Sequence, residues 1–248
     1  MAIAYILAHF DDEYCALPLI RRRAAEGVDQ HFFYVADYAD PEAARRRLSE
    51  SQALLRHVGV DPARAVHVGA GTGAMDGGVY RDLPAAFAAL SAAVERIGPV
   101  ERFVCPAWEG GHMDHDMCAL MTTRLATARG VPVDQFSLYN AKGLVAPFYH
   151  GCSPLPENGP VTRMPLSVGE WVRWMLAVRF FPSQVPVWII LWPAMFWTYA
   201  RRGFGHQRLD PARVRERPHA GTLFYERMFK VPHEEVRAAA DAFLQARA

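Results

Sequence analysis

The stretch Ala2-Ile3-Ala4-Tyr5-Ile6-Leu7-Ala8-His9-Phe10-Asp11-Asp12-Glu13 decides the fold. Its first residues, Ala2 to Leu7, form an apolar run too short for a helix and right for a buried strand. A His and adjacent carboxylates therefore stand at a strand's C-terminal end. In an open α/β sheet that edge faces the crevice where ligands bind. A second cluster, Gly110-Gly111-His112-Met113-Asp114-His115-Asp116, follows another apolar run at 101–106. The clusters read as halves of one site.

Around them, strand and helix patterns alternate with short connections. Helical spacing over 14–26 ends at Gly27, and a strand at 30–36 leads to an amphipathic helix at 42–58. Further strands are expected at 65–68, 101–106 and 135–139, and further helices at 83–97, 114–129 and 232–246. This alternation predicts a Rossmann-like α/β fold, a mostly parallel sheet with helices on both faces. Residues 1–140 are expected to form the catalytic core. Residues 141–248 are expected to complete the same domain as an apolar helical extension. The glycine-rich segment 69–78 has no hydrophobic pattern and is expected to be a surface loop. Its Gly-Ala-Gly-Thr-Gly does not complete a dinucleotide fingerprint between a strand and a helix.

Composition excludes several classes of function. With 27 Lys and Arg against 26 Asp and Glu, and no long charged block, no nucleic-acid partner is expected. The four cysteines form neither a CxxC pair nor a framework spacing, so they are expected to be reduced, buried and cytoplasmic. The first residues read as a core strand without a basic leader, so export is not expected.

Residues 143–165 contain five prolines and predict an extended excursion over the active-site face. The Trp-rich segment 171–200 follows, with no charged residue between Arg179 and Arg201. Pro182, Pro186 and Pro193 argue against a membrane span. Three readings stay open: an interfacial membrane segment flanked by arginines, a channel for a lipid tail, or a helix buried in the core or in a homo-oligomer interface.

A single His-x-Asp-Asp is commonly a helix cap, and Glu13 reads as a partner of the helix dipole. Two His three residues apart around an Asp suit metal ligation or acid-base pairing. Together the clusters supply two imidazoles and a carboxylate, the donor set of a catalytic zinc with one position left for water. Of two adjacent Asp residues at a sharp turn, one can bind metal while the other takes a proton. A histidine outside the metal set can stabilise an oxyanion or protonate a leaving amine, if a carboxylate holds it charged and oriented. That is amide hydrolysis chemistry.

The residues Ala8-His9-Phe10-Asp11-Asp12-Glu13 and His112-Met113-Asp114-His115 resemble the motifs AHPDDE and HPDH of the LmbE-like family of metal-dependent N-deacetylases, which includes the N-acetylglucosaminyl-phosphatidylinositol deacetylases. Five of six and three of four positions agree, and the resemblance covers residues 1–140. It implies that His9, Asp12 and His115 bind Zn2+, with Fe2+ as another divalent candidate. It implies Asp11 as general base, His112 as electrostatic partner of the tetrahedral intermediate, and Asp114 as orienter of an imidazole. Arg47, in an Arg-x-x-Glu with Glu50, and Asp82 resemble the family's sugar contacts. Phe10 and Met113 replace the motif prolines, which is expected to alter turn rigidity and the pocket wall. Trp108 and Glu109 are candidates for the space that a Tyr before the second motif fills in some members.

The expected activity is zinc-dependent N-deacetylation of an N-acetyl amino sugar conjugate, with a lipid-linked substrate as a candidate. The alternatives are a metal-dependent amidase removing another acyl group from a natural-product or glycolipid scaffold, and a non-catalytic metal- or partner-binding protein. The expected location is cytoplasmic, with a peripheral membrane contact through 180–200 as a candidate.

Overall fold

The computed structural model describes residues 2–246, so the outermost residues of the two expected segments lie outside the described range. In chain order the first half runs β1 (Ala2–Leu7), α1 (Glu13–Ala25), β2 (Asp29–Tyr34), α2 (Pro41–His57), β3 (Ala65–His67), α3 (Leu83–Arg96), β4 (Val100–Pro106) and α4 (Met113–Arg129). The rest is β5 (Val133–Phe136), β6 (Tyr139–Asn140), β7 (His150–Gly151), β8 (Val161–Met164), α5 (Val168–Ala177), α6 (Val185–Arg202), β9 (Phe204–Arg208), α7 (Phe224–Met228) and α8 (His233–Gln245).

β1 is buried along its whole length because it lies inside the sheet and is covered on both faces. Its alternate residues divide between two cores. Ala4, Ile6 and Ala8 pack with α3, α4 and α8, whereas Ile3, Tyr5 and Leu7 pack with α1, α2, α5 and α6. This is the period of two along a strand turned into two layers. The seven-stranded sheet has the order β3-β2-β1-β4-β5-β9-β8. β1 pairs parallel with β2 and with β4, aligning Leu7 with Tyr34 and Tyr5 with Val104. The chain runs outward from β1 to β3, returns, and starts again at β4. The strand order thus reverses between β1 and β4, which opens a crevice beyond their C-terminal ends.

The helix signals behave as their chemistry requires. Asp40 caps α2 by accepting the Glu42 N–H at 2.9 Å, with Pro41 in the first turn. Gly130 ends α4 at φ +64°.

The C-terminal part departs from a purely helical extension. β8 and β9 join the sheet antiparallel beyond β5. Val161-Thr162-Arg163-Met164 and Phe204-Gly205-His206-Gln207-Arg208 have no apolar run to announce them; β8 is the edge strand, and β9, between β5 and β8, carries His206 and Arg208. The expected strand at 135–139 is also split, into β5 and the short β6. α6 runs unbroken through Pro193, with Pro186 in its first turn, whereas Pro182 stands at the 82° bend that separates the α5 path from α6. α5 and α6 both pack on α1 through Tyr14, whose carbonyl accepts the indole N–H of Trp174 on α5 at 3.0 Å and whose hydroxyl accepts that of Trp192 on α6 at 3.1 Å. Among the described residues no single helix is long and apolar enough to cross a membrane.

Candidate active site

The turns after β1 and β4 lie on either side of the reversal in strand order and face each other. Asp12 Oδ2 accepts the N–H groups of Ala8 and His9, each at 2.9 Å, which folds the first turn back on itself. Asp11 between them has φ +117°, a conformation that residues with side chains rarely adopt. Such strain costs on the order of 1–3 kcal/mol and persists where the surroundings fix it. Here Glu13 Oε2 accepts the Asp11 N–H at 3.1 Å. Glu13 is wholly buried, so it clamps the turn as well as lying in the first turn of α1.

The second turn depends on glycine. A Cβ on Gly111 would lie 2.0 Å from the Tyr139 carbonyl oxygen, so only glycine allows the approach. His112 then caps α4, its Nδ1 accepting the Asp114 N–H at 3.2 Å. With Nδ1 so occupied, the neutral ring carries its proton on Nε2. Burial pushes the His112 imidazole down to about 3 despite the nearby Asp114. His112 therefore presents Nε2–H as a hydrogen-bond donor. Asp114 lies closer to His9 Nε2, at 3.2 Å, than to His112 Nδ1, at 3.8 Å, and so orients His9. Asp114 is fixed in turn by the N–H groups of Gly77 at 2.7 Å and Val79 at 3.0 Å.

His9 Nδ1, Asp12 Oδ1 and His115 Nε2 converge on one point. Their separations are 3.3 Å between the two nitrogens, 3.0 Å from His115 to Asp12 and 3.7 Å from His9 to Asp12. Tetrahedral zinc at about 2.0–2.1 Å from each ligand needs donors about 3.3 Å apart, so the three atoms fit a divalent cation. Their surroundings favour positive charge. Burial alone would lower the His9 pKa, but Asp76, Asp114 and Asp12 outweigh it and hold it well above the usual imidazole range. Burial would likewise raise Asp12, and His115 with His9 outweigh it and hold it well below the usual carboxylate range. His9, with Asp114 behind it, has the carboxylate-histidine arrangement that fixes a metal-binding ring.

A second group, His9, Asp76, His112 and Asp114, is also close enough to surround a cation. Its donors are already engaged, since both Asp114 oxygens accept backbone N–H groups and His112 Nδ1 accepts another. The first group keeps its facing atoms free of backbone partners and is the better metal site.

Asp11 lines the same cavity. Burial raises its pKa well above the usual range, against the pull of Arg47 and His9 and with the help of Asp12 and Glu13. Arg47 reaches the cavity from α2: its Nη2 donates to the Phe10 carbonyl at 3.1 Å and lies 3.8 Å from Asp11 Oδ1. Its Nη1 is 3.6 Å from Asp76 Oδ2. Glu50, its companion on α2, turns to the C-terminal segment and accepts the Ser183 N–H at 3.1 Å and the hydroxyl at 2.6 Å, anchoring the turn before α6. From α6, Trp188, Leu191 and Met195 supply an apolar wall opposite the acidic one.

Several expectations need correction. Asp82 lies exposed at the start of α3 and does not line the cavity. Asp76 stands there instead, at 3.2 Å from His9 Nε2. The glycine-rich loop that carries it folds over the site because Asp37 holds it: Asp37 N–H donates to the Ala74 carbonyl at 2.8 Å, and the Asp76 N–H donates to the Asp37 carbonyl at 2.8 Å. The available signal was an acidic residue in a glycine-rich loop at the same sheet edge. Phe10 and Met113 are not part of the pocket wall but are buried, Phe10 against Tyr34 and Tyr38. Trp108 and Glu109 also point away from the cavity. Trp108 Nε1 donates to the Glu216 carbonyl at 3.0 Å, and Glu109 accepts from Ser137, Asn140 and the N–H groups of Leu138 and Tyr139. That carboxylate shapes the loop that brings the Tyr139 ring into the cavity beside His115. The cysteines are free and buried, and Cys15 reaches the cavity wall.

No family model and no curated protein matches the chain. Solved structures do resemble it. A triple mutant of a deacetylase involved in the teicoplanin biosynthetic pathway superposes with a TM-score of 0.66 at 18% identity, over 85% of this chain and 98% of that one. The zinc-inhibited form of teicoplanin deacetylase gives 0.60 at 16% identity, over 85% and 99%. The N,N'-diacetylchitobiose deacetylase from Pyrococcus horikoshii gives 0.57 at 15%, over 88% and 87%. The chain has the fold of these deacetylases.

Proposed function

We propose that this chain is a metal-dependent N-deacetylase acting on an N-acetyl amino sugar conjugate. The observation that carries the reading is the convergence of His9 Nδ1, Asp12 Oδ1 and His115 Nε2 beside the unligated carboxylate of Asp11. The deacetylase fold of the similar structures supports it.

His9, Asp12 and His115 would hold the divalent cation, Zn2+ or Fe2+ by their N/O donor chemistry. Bound there, the cation polarises the amide carbonyl and lowers the pKa of water. Asp11 takes a proton from the attacking water at its carboxylate. Its elevated pKa lets it hold that proton and return it to the nitrogen of the leaving amine. His112 offers its Nε2–H to the oxyanion that develops on the carbonyl oxygen. Asp114 holds the His9 ring in the orientation that leaves Nδ1 for the cation. Arg47 and Asp76 line the cavity, where both can bind sugar hydroxyls and Arg47 can bind a phosphate.

A second reading is removal of a longer acyl group from a natural-product or glycolipid scaffold, favoured by the apolar wall of Trp188, Leu191 and Met195. One experiment tests both: acetate release by the zinc-loaded protein from N-acetylglucosamine, its phosphate, a glycoside and a lipid-linked form, with Asp11→Asn as blank. Acetate from any member supports deacetylation. No acetate from the panel, together with release of a longer acid from N-acyl analogues, moves the assignment to the second reading. No release of any acid from metal-loaded protein overturns both.

A further inference from the structure

α6 (Val185–Arg202) has two apolar sides. One supplies Trp188, Leu191 and Met195 to the cavity. The other carries Val185, Ile189, Ile190 and Trp197, exposed by 50%, 71%, 66% and 59%. These residues recur at helical spacing, with exposed Pro186 and Pro193 between them, and make one stripe facing solvent. Packing accounts for the first side only. A bare apolar stripe of this length marks a surface made to be covered.

Charge indicates what covers it. Residues 171–207 contain Arg173, Arg179, Arg201 and Arg202 and no Asp or Glu, in a chain whose net charge is only +1. The arginines pair with aromatic rings near both ends of the stripe: the Arg201 guanidinium lies 5.0 Å from the centre of the Trp197 ring, and that of Arg179 lies 5.3 Å from the centre of Phe180. A ring at the acyl boundary beside a guanidinium at phosphate level is the arrangement of a segment lying in a membrane interface. A two-fold pairing of α6 with a second copy would instead set these arginines against each other with no carboxylate from the segment between them. α5 and the turn after it meet the α6 segment at 82°, which suits lying on a surface rather than crossing it.

We propose that the outer face of α6 docks on an anionic lipid surface. Val187, exposed by 43%, lines the cavity from the same helix, so docking places the cavity's rim at the lipid boundary. An amphiphilic sugar conjugate then enters with its tail beside α6 and its head toward Asp11. That consequence rests on the hydrolase reading, whereas the docking itself does not.

The test is co-sedimentation of the metal-loaded full chain with vesicles of phosphatidylcholine alone and of phosphatidylcholine with phosphatidylglycerol. Binding is expected only with the anionic vesicles, and to weaken with salt. The double variant Ile189→Glu/Ile190→Glu is expected to lower the partition coefficient by about tenfold or more. Arg201→Glu/Arg202→Glu should abolish the preference for phosphatidylglycerol. Quenching by brominated lipid should fall in Trp197→Phe. Circular dichroism and an unchanged melting temperature show that each variant is folded, whether or not a substrate is known, and hydrolysis of a soluble substrate should be unaffected. Equal sedimentation of wild type and Ile189→Glu/Ile190→Glu overturns the proposal. So does a concentration-dependent dimer, seen by light scattering, that this variant dissolves, because the stripe would then be a subunit interface.

Discussion

Asp114 Oδ2 stands 3.2 Å from His9 Nε2 and joins the two sequence clusters directly, carboxylate to imidazole. The same oxygen accepts the Gly77 N–H at 2.7 Å, so the glycine-rich loop is tied to the His9 ring through one side chain. His9 is thereby held with Nδ1 toward Asp12 and His115.

Asp114→Asn puts an amide nitrogen against the N–H of Gly77 or of Val79, whichever way the side chain turns. Metal affinity is expected to fall roughly 10–100-fold, as it does when the hydrogen-bonded partner of a metal-binding histidine is changed. Chelator competition followed by metal analysis measures it. Affinity equal to wild type would mean that Asp114 does not orient His9.

Asp11→Asn keeps the three facing donors and removes the proton acceptor. Turnover is expected to fall roughly a hundredfold to ten-thousandfold with metal stoichiometry unchanged. Turnover within a few-fold of wild type would remove Asp11 from the role of base. His115→Ala, in contrast, should lose the metal.

Arg47 pulls the Asp11 pKa down, so removing the guanidinium lets it rise further. A base works deprotonated, and the acid limb of the pH-rate profile of Arg47→Ala should therefore move to higher pH. KM is expected to rise about tenfold as a hydrogen-bonded, charged contact is lost. Asp76→Ala should raise KM likewise while metal stoichiometry holds. An acid limb that stays in place for Arg47→Ala would show that Asp11 does not set it.

Asp116 is buried beneath the second turn. Its Oδ1 accepts the N–H groups of Glu109 and Gly110, and its Oδ2 has no partner. Burial pushes its pKa from 3.8 up to about 8. The folded chain keeps this proton where the unfolded chain has lost it, so between those two values the group's contribution to stability falls as pH rises, by at most about 1.4 kcal/mol per unit. Asp116→Asn should flatten that dependence. Melting temperatures of the metal-saturated proteins between pH 5 and 8, on the order of the window above, measure the difference. Parallel curves for the two proteins would place the Asp116 pKa at its ordinary value.

The sequence by itself determined the alternation of strand and helix. The apolar run Ala2 to Leu7, the capping residue Asp40 and the terminating Gly130 act locally, through periodicity and through backbone groups a few residues away. It also determined that His9, Asp12 and His115 lie at one sheet edge, because parallel strands point their following turns the same way. Only the tertiary structure decided which loop completes the cavity. Asp76 enters and Asp82 stays outside because Asp37, on another strand's end, holds the intervening loop. The partner of Asp114 was decided there too, since 3–4 Å distances to rings on two different segments set it. The edge strand β8, its neighbour β9 and the two sides of α6 belong to the same group. Their composition suits several surroundings, and packing against β5 and α1 chose among them.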